Sequence, residues 1–381
     1  MNNTKNISGM DPASGNGVRI DIDDGLIFAV TEEKNPDAGY LSAGLIDLQV
    51  NGYGGLDFNA PDLKVKTVLA ICQKLAGLGV TRFLPTIITA SENNIIKALK
   101  TIARARNVHP LIGQMVAGVH MEGPSISPLD GPRGAHPLSH VRAPSTEEFA
   151  RWQEAAQGLV KLVTLAPEHV GAQNYIKELA NQNVHVSLGH TNASPDQIAM
   201  AAAAGASLST HLGNGAAAML PRHPNFIWAQ LAHPDLSAMF ISDGHHLPAD
   251  TFAAMVRAKG LDNSILVSDS VALAGMPPGI YQQAIGGKVE LSPDGRISMA
   301  GTPFLAGAAM PLGANIAMAI RMANLTLSGA LKMASENPGR FIGGAGRLAV
   351  GQRADIIRFD WSKGAQNLDI RQVWLAGRQM I

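Results

Sequence analysis

The chain of 381 residues is long enough for one barrel-sized domain with an addition, or for two or three smaller domains. Lys plus Arg and Asp plus Glu each number 30, so the net charge is zero, and we expect neither nucleic acid nor a membrane as partner. The single cysteine, Cys72, excludes an internal disulfide framework, and the first residues lack the apolar core of a secretion signal. These features predict a soluble, cytoplasmic protein.

Short strands are predicted at both ends of the chain. The stretch GVRIDIDDGLIFAVT (17–31) is typical of a hairpin that turns at Asp23-Asp24-Gly25. A second region of short strands with glycine turns begins at residue 346. We expect residues 1–43 and 346–381 to form a small β-sandwich beside a central domain, residues 44–345.

The central domain alternates strand patterns with helix patterns. Apolar runs bounded by turn residues predict eight strands, at 44–50, 80–86, 115–122, 160–168, 184–190, 207–213, 238–244 and 264–270. Helical patterns lie between them, at 62–79, 92–106, 146–157 and 194–206. This alternation predicts an α/β fold, a parallel (β/α)8 barrel of the TIM type, with a hairpin (287–301) inserted after the eighth strand. A doubly wound open sheet is the alternative, although no predicted strand is followed by a G-x-G-x-x-G turn.

Ionisable residues recur where the predicted strands end. Strand three ends at Glu122, strand five at His190, strand six at His211, strand seven at Asp243 with His245 and His246, and strand eight at Asp269. Each alone is ordinarily a solvated loop residue, but the catalytic groups of a barrel come from this face. Groups clustered there repel one another or lose hydration unless something neutralises them. One carboxylate with two imidazoles suits a divalent ion such as Zn²⁺ with a position open for water.

Several motifs, in their order and spacing, resemble the N-acetylglucosamine-6-phosphate deacetylase family of amidohydrolases. They are GLIDLQVNGYGG, VHMEGPSISP with GAHP, VTLAPE, SLGHTNAS, STHLGNG, SDGHH and LVSDSVALAG. The resemblance runs from about Gly44 to Asp360, and HMEGP, GHTNAS and THL…N are specific in combination. It implies a barrel with a small β-sandwich, and hydrolysis of the acetamide of a phosphorylated amino sugar.

The resemblance also implies roles for individual residues. Glu122, His190 and His211 would hold one divalent metal ion per subunit, Zn²⁺ in the first place, with Fe²⁺, Co²⁺ or Mn²⁺ as alternatives. Asp269 matches the catalytic Asp, and His136 matches the His that polarises the substrate carbonyl. The implied substrate contacts are Ala135, His136, Asn214, Gly215, Arg222, His246, Leu305, Ala306 and Gly307. A homodimer is expected, with Arg222 reaching the neighbouring subunit to bind phosphate through its fork geometry.

The sequence departs from the family pattern at a few positions. Gln49 and Asn51 stand where many amidohydrolases have a His-x-His pair, and amides are poor ligands for a transition metal, so we expect a single ion. Gly215 and the double histidine at His245 differ near the expected sugar. N-acetylgalactosamine 6-phosphate, or another acetamido sugar, therefore stays open as the substrate. His120, on the strand face of Glu122, is expected to support that ligand.

Two rival functions make different demands on the sequence. An amidohydrolase acting on a cyclic amide usually keeps the His-x-His pair and a carboxylated Lys on strand four. Here strand four ends TLAPEH, without a Lys. A non-catalytic, amidohydrolase-like binding protein is expected to lose the metal ligands or Asp269, and all are present. The sequence favours the deacetylase over both.

Overall fold

The computed structural model describes residues 5–282, 287–302 and 304–380. The first strands in chain order are β1 (Lys5–Met10), β2 (Gly17–Asp23), β3 (Leu26–Glu32) and β4 (Tyr40–Ala43). Strands β2 and β3 pair antiparallel, and the turn between them places Asp24 at φ 44°, in the left-handed region. The predicted N-terminal hairpin is therefore confirmed.

Eight parallel strands form the central barrel. The strands from here are β5 (Leu45–Val50), β6 (Gly52–Tyr53), β7 (Leu56–Asp57), β8 (Val80–Ile88), β9 (Val119–Glu122), β10 (Val160–Leu165), β11 (His185–Leu188), β12 (Leu208–Ser209), β13 (Ser237–Phe240) and β14 (Ser264–Leu266). Apart from the small hairpin β6–β7, they form one sheet in chain order, from β5 to β14. A parallel bridge between Val50 and Ser270 brings the two edges of this sheet together. The predicted barrel is confirmed, and the open-sheet alternative is wrong.

Helices surround the barrel. They are α1 (Val65–Gly77), α2 (Glu92–Val108), α3 (Pro110–Met115), α4 (Thr146–Ala155), α5 (Ala172–Asn181), α6 (Pro195–Ala203), α7 (Phe226–Ala232), α8 (Ala249–Lys259), α9 (Leu312–Ala323), α10 (Leu327–Met333) and α11 (Glu336–Gly339). Helix α3, which starts with a proline at its first position, takes up Met115, so strand β9 starts later than the predicted 115–122. None of the described helices combines the length and apolar character needed to cross a bilayer.

The last strands build two further sheets. β15 (Gly279–Gln282), β16 (Lys288–Leu291), β17 (Arg296–Met299) and β18 (Leu305–Ala308) form a four-stranded antiparallel sheet. The predicted hairpin at 287–301 is its central pair. β19 (Ile356–Asp360), β20 (Asp369–Leu375) and β21 (Arg378–Gln379) join β1–β4 in one seven-stranded sheet. Both chain ends thus share the small β-domain that the sequence predicted, around a core that includes Ile20, Leu41 and Ile356.

Apolar residues fill both faces of the barrel sheet. The inward cluster comes from the strands themselves and includes Leu48, Leu162 and Met239, each almost completely buried. The outward residues join the helices in a larger cluster. Because the eight strands are parallel, the polar residues at their carboxyl ends lie together at one end of the barrel, where a site can form.

Candidate active site

Three buried side chains converge at the carboxyl ends of β9, β11 and β12. Nε2 of His211 lies 3.0 Å from Oε1 of Glu122 and 3.1 Å from Nε2 of His190. Nε2 of His190 lies 3.4 Å from the same Glu122 oxygen. Ligands about 2.0–2.1 Å from a tetrahedral Zn²⁺ are separated by about 3.3 Å, so these three atoms have the spacing of one face of such a site. The structure therefore brings the predicted metal ligands together.

A second contact orients the imidazole of His190. His190 Nδ1 lies 2.8 Å from the carbonyl oxygen of Pro132, so its proton belongs on Nδ1 and the lone pair of Nε2 faces the other ligands. His211 Nδ1 is buried without a partner among the described residues. Although burial raises the pKa of Glu122, the adjacent imidazoles of His190 and His211 hold it well below its usual value. The carboxylate is therefore ionised, as a metal ligand must be.

His136 lies beside this cluster and offers a third imidazole. One of its ring nitrogens is within 4.8 Å of ligand atoms of Glu122 and His190, and the rings of His136 and His190 are 4.5 Å apart. Its Nδ1 bonds the hydroxyl of Thr89 at 2.8 Å. Burial, followed by the charge of His190, lowers the pKa of His136 to about 3, so the ring is neutral at pH 7. His211 makes the shorter contacts to Glu122 and His190.

The residues at three of these strand ends have unusual backbone conformations. His190, His211 and Asp269 have φ values of 49°, 27° and 47°, the left-handed region that residues other than glycine seldom adopt. Such conformations persist only where the surrounding structure enforces them, and they are concentrated at functional sites. Each one turns the chain sharply out of a barrel strand at the residue that bears the functional group.

Neighbouring loops hold the turn at His190. The N–H of Ser127 donates to the carbonyl oxygen of His190 at 2.8 Å. The carboxylate of Glu168, in the loop after β10, accepts the N–H of Asn192 at 2.8 Å and the hydroxyl of Thr191. These contacts fix the chain on both sides of His190 and so offset the cost of its strained φ.

The two amides at the carboxyl end of β5, Gln49 and Asn51, orient the carboxylates. Nε2 of Gln49 donates to Oε1 of Glu122, and Nδ2 of Asn51 donates to Oδ1 of Asp269, each at 2.8 Å. A His-x-His pair at these positions would face a second cation, whereas the amide N–H groups approach the carboxylates themselves. The arrangement fits the expected single-ion site.

Asp269 has the character of a proton-transfer group. It is half-buried at a cavity. Loss of hydration, followed by the negative charge of Glu122, raises its pKa to about 8. Asn51 is its side-chain hydrogen-bond partner. A carboxyl group with a pKa near neutrality can take up and release a proton at physiological pH.

A cavity of about 250 Å³ opens above these groups. Its wall contains most of the predicted substrate-binding residues, namely Ala135, His136, Asn214, Gly215, His246, Leu305, Ala306 and Gly307. Residues 305–307 lie in strand β18, so the four-stranded sheet supplies one wall. His246 is held by Asp243, whose Oδ2 lies 2.7 Å from Nδ1 of the imidazole.

Arg222 and His120 lie elsewhere. Arg222 is exposed on the loop 213–225 and is not part of the cavity wall. His120 makes no hydrogen bond to Glu122 among the described contacts. It bonds the carbonyl of Leu48 at 3.1 Å and the hydroxyl of Thr164 at 2.7 Å, one layer deeper in the barrel. Support of Glu122 by His120 stays a prediction, whereas Gln49 contacts Glu122 directly.

Residues 40–380 match the family model described as "Amidohydrolase family". The chain is 31% identical to N-acetylglucosamine-6-phosphate deacetylase of Bacillus subtilis (strain 168), covering 89% of this chain and 87% of that one. It is 33% identical to N-acetylgalactosamine-6-phosphate deacetylase of Shewanella sp. (strain ANA-3), covering 94% and 90%.

Solved structures agree with these relatives. N-acetyl-D-glucosamine-6-phosphate deacetylase from Mycobacterium smegmatis, in complex with N-acetyl-D-glucosamine-6-phosphate, superposes with a TM-score of 0.87 at 26% identity, covering 99% of both chains. The match thus extends over the barrel and the small β-domain together. The chain belongs to the amidohydrolase family.

Proposed function

We propose that this hydrolase removes the acetyl group from an N-acetylhexosamine 6-phosphate, giving acetate and the amino sugar phosphate. The observation that carries the proposal is the convergence of Glu122, His190 and His211, with Asp269 at the same cavity. The relatives named for this reaction support the substrate class, and they include enzymes of both sugar epimers. We take N-acetylglucosamine 6-phosphate as the first candidate and its galactose-series epimer as the second.

The triad of Glu122, His190 and His211 is proposed to hold one divalent ion per subunit, with Zn²⁺ as the first candidate and Fe²⁺, Co²⁺ or Mn²⁺ as alternatives. Such an ion, when bound, polarises a carbonyl and acidifies water. Metal analysis should find about one equivalent per chain, because Glu122, His190 and His211 offer one set of closely spaced ligand atoms, enough for a single ion. His190→Ala leaves two of them and should reduce the bound metal to near zero. Two equivalents in the wild-type protein would contradict the single-ion site.

Two residues are proposed to act on the reacting atoms. Asp269 takes one proton from the attacking water and later returns it to the nitrogen as the C–N bond breaks. Neutral His136, with Nδ1 accepting the hydroxyl hydrogen of Thr89, can donate its Nε2 hydrogen to the carbonyl oxygen as negative charge develops there. One such donor typically contributes about 3 kcal/mol to transition-state stabilisation.

Phosphate recognition is proposed to involve a second subunit. The described residues that line the cavity include no Lys or Arg, although the substrate is anionic. Arg222 is exposed at the rim, where it is free to enter the cavity of a neighbouring chain. We therefore propose a homodimer, and a cytoplasmic location consistent with the single, buried cysteine.

Acetate release from a panel of acetamido sugars tests the function. The panel contains N-acetylglucosamine and N-acetylgalactosamine, each with and without 6-phosphate, together with a hydantoin as the cyclic amide. We expect acetate from the phosphorylated sugars in preference to the others. Hydrolysis of the hydantoin alone would overturn the proposal in favour of a cyclic amidohydrolase, and no hydrolysis by the metal-loaded protein would favour a binding protein.

A further inference from the structure

The cavity contains a third carboxylate that has no part in the ion site or the proton transfer. Asp57 lies in β7 and lines the same cavity as Glu122 and Asp269. Its hairpin is fixed to the loop after β14, because the N–H of Gly52 donates to Ser270 at 3.0 Å and that of Gly55 to Ala272 at 2.7 Å. Asp57 therefore belongs to a rigid part of the wall.

The protein satisfies only part of the hydrogen-bonding capacity of Asp57. Its Oδ1 accepts the N–H of Asn59 at 2.7 Å, and the Asn59 side chain also stabilises the carboxylate. That side chain is already engaged with β8, donating to Thr86 at 3.0 Å and accepting the N–H of Ile88 at 2.9 Å. Among the described residues, no Lys, Arg or His forms an ion pair with Asp57.

An ionised carboxylate offers about four acceptor positions, so Asn59 leaves at least two of them open. Asp57 is half-buried at the cavity wall. An acceptor that is shielded from water and lacks a partner is costly, and a cavity wall that carries one is suited to a ligand that brings a donor. Ile88 and Leu273, which line the same cavity, are apolar and offer no competing donor from their side chains.

We propose that Asp57 is a specificity residue that accepts a hydrogen bond from one ring hydroxyl of the bound sugar. The inference rests on the proposed function, since it assumes a hexosamine phosphate in the cavity. A charged acceptor forms a stronger hydrogen bond with a hydroxyl than a neutral one does. A site built around such a bond discriminates strongly against an analogue that lacks the hydroxyl.

Deoxy analogues of the substrate provide the test. Steady-state kinetics are measured for N-acetylglucosamine 6-phosphate, its 3-deoxy and 4-deoxy analogues and its C4 epimer. In the wild-type enzyme, removal of the recognised hydroxyl should lower kcat/KM by about 10- to 100-fold, the range for a hydrogen bond to a charged group. In Asp57→Ala that penalty should shrink to about twofold or less, within the usual error of additivity. Asp57→Asn, which keeps the turn at Asn59, should give an intermediate penalty.

Asp62→Asn is the matched control, because Asp62 is exposed, pairs with Lys64 at 3.3 Å and lies outside the cavity wall. It should leave the loss of kcat/KM for each deoxy analogue as in the wild type. If the Asp57 variants retain the wild-type pattern of penalties, or lose kcat equally on all substrates, the inference is wrong. It is also wrong if they change only inhibition by the product amine, or if they lose a second metal equivalent. A wild-type enzyme that releases no acetate from any phosphorylated sugar would instead refute the proposed function.

Discussion

The ion-site end of the cavity and the loop 213–225 differ in the burial of their side chains and in how firmly neighbouring residues hold them. Glu122, His190 and His211 are 3%, 7% and 4% exposed. Both histidines have left-handed φ values, and neighbouring loops hold the turn at His190. On the rim loop, Met219 is 90% exposed and Arg222 is exposed as well. The comparison indicates that one chain brings the candidate reacting groups together by itself, whereas Arg222, the proposed phosphate ligand, is left at the surface.

The strongest test of the ion-site end is Asp269→Asn. Asparagine keeps the size of the side chain, and its amide can still pair with Asn51, but it cannot accept and return a proton. We expect kcat to fall by about 10²–10⁴, the range for loss of general acid–base catalysis, while metal content and KM change little. Steady-state kinetics with metal analysis of the same sample measure both.

Loss of the metal in step with activity would make Asp269 a ligand instead of the proton-transfer group. Nearly unchanged activity would transfer that role to another group, with Asp243 and His246 as the next candidates in reach of the cavity. Either result would mean that Asp269, after β14, does not transfer the proton. It would weaken the contrast between the ion site and the loop 213–225.

Glu168→Ala tests whether the strained turn at His190 is held from outside. The variant loses the acceptor for the Asn192 N–H and the Thr191 hydroxyl, so His190 should no longer be fixed in place. We expect metal affinity, measured by chelator competition, to fall by about 10- to 100-fold, as for other groups that support a ligand indirectly. Glu168→Gln retains one acceptor oxygen and should restore part of the affinity.

Glu178→Ala is the control for that experiment, because Glu178 is an exposed helical residue whose carboxylate pairs with Gln182 at 3.0 Å. It should bind metal like the wild type. If Glu168→Ala lowers the thermal midpoint of unfolding but keeps the wild-type metal affinity, Glu168 supports the fold and not the ligand.

The sequence predicts these two ends to different degrees. Glu122, His190, His211 and Asp269 are found from sequence because each follows an apolar strand, and parallel strands place their carboxyl ends on one face. Glu168 and Thr89 are missed because their contacts, to Thr191 and His136, join residues 23 and 47 positions apart. Such contacts depend on the path of loops, and no periodic pattern records them.

The elements differ in the same way. The barrel strands follow from apolar runs, yet β14 ends at Leu266 instead of residue 270, since the chain leaves the ladder before the left-handed turn at Asp269. Residues 305–307 carry turn-like composition but pair with β17 as an edge strand. Pairing partners decide these cases, and local composition does not reveal them.

Arg222→Ala tests the rim. If Arg222 binds phosphate across a subunit interface, KM for the 6-phosphate sugar should rise by about tenfold or more, the effect of losing a hydrogen bond to a charged group. The unphosphorylated sugar should be affected little. Arg222→Lys should recover only part of the loss, because an ammonium cannot form the bidentate contact.

Mixed dimers locate the Arg222 contact. An equal mixture of Arg222→Ala and Asp269→Asn subunits contains dimers in which one active site has a working Asp269 and, across the interface, a wild-type Arg222. Recovery of low-KM activity on mixing supports the shared site. An equal rise of KM for phosphorylated and unphosphorylated sugars in the single variant would assign Arg222 a structural role in its own loop.

The smallest expected effect concerns the tautomer of His136. Thr89→Val removes the hydroxyl that lies 2.8 Å from Nδ1 while nearly keeping the shape of the side chain. The proton of the neutral ring can then occupy Nδ1, where it does not face the substrate carbonyl. We expect kcat to fall by about fivefold, the effect of one hydrogen bond worth about 1 kcal/mol, with KM and metal content unchanged. Nitrogen chemical shifts of the imidazole should show the redistribution of tautomers.

Thr89→Ser retains the hydroxyl and should keep both the wild-type kcat and the wild-type nitrogen shifts. A rise in bound metal for Thr89→Val would have a different meaning, because Nε2 of the alternative tautomer carries a lone pair and the His136 ring lies beside Glu122 and His190. His136 would then be a potential fourth ligand that the Thr89 hydroxyl keeps from binding. The Thr89 hydroxyl would in that case keep one coordination position of the ion free of a protein ligand.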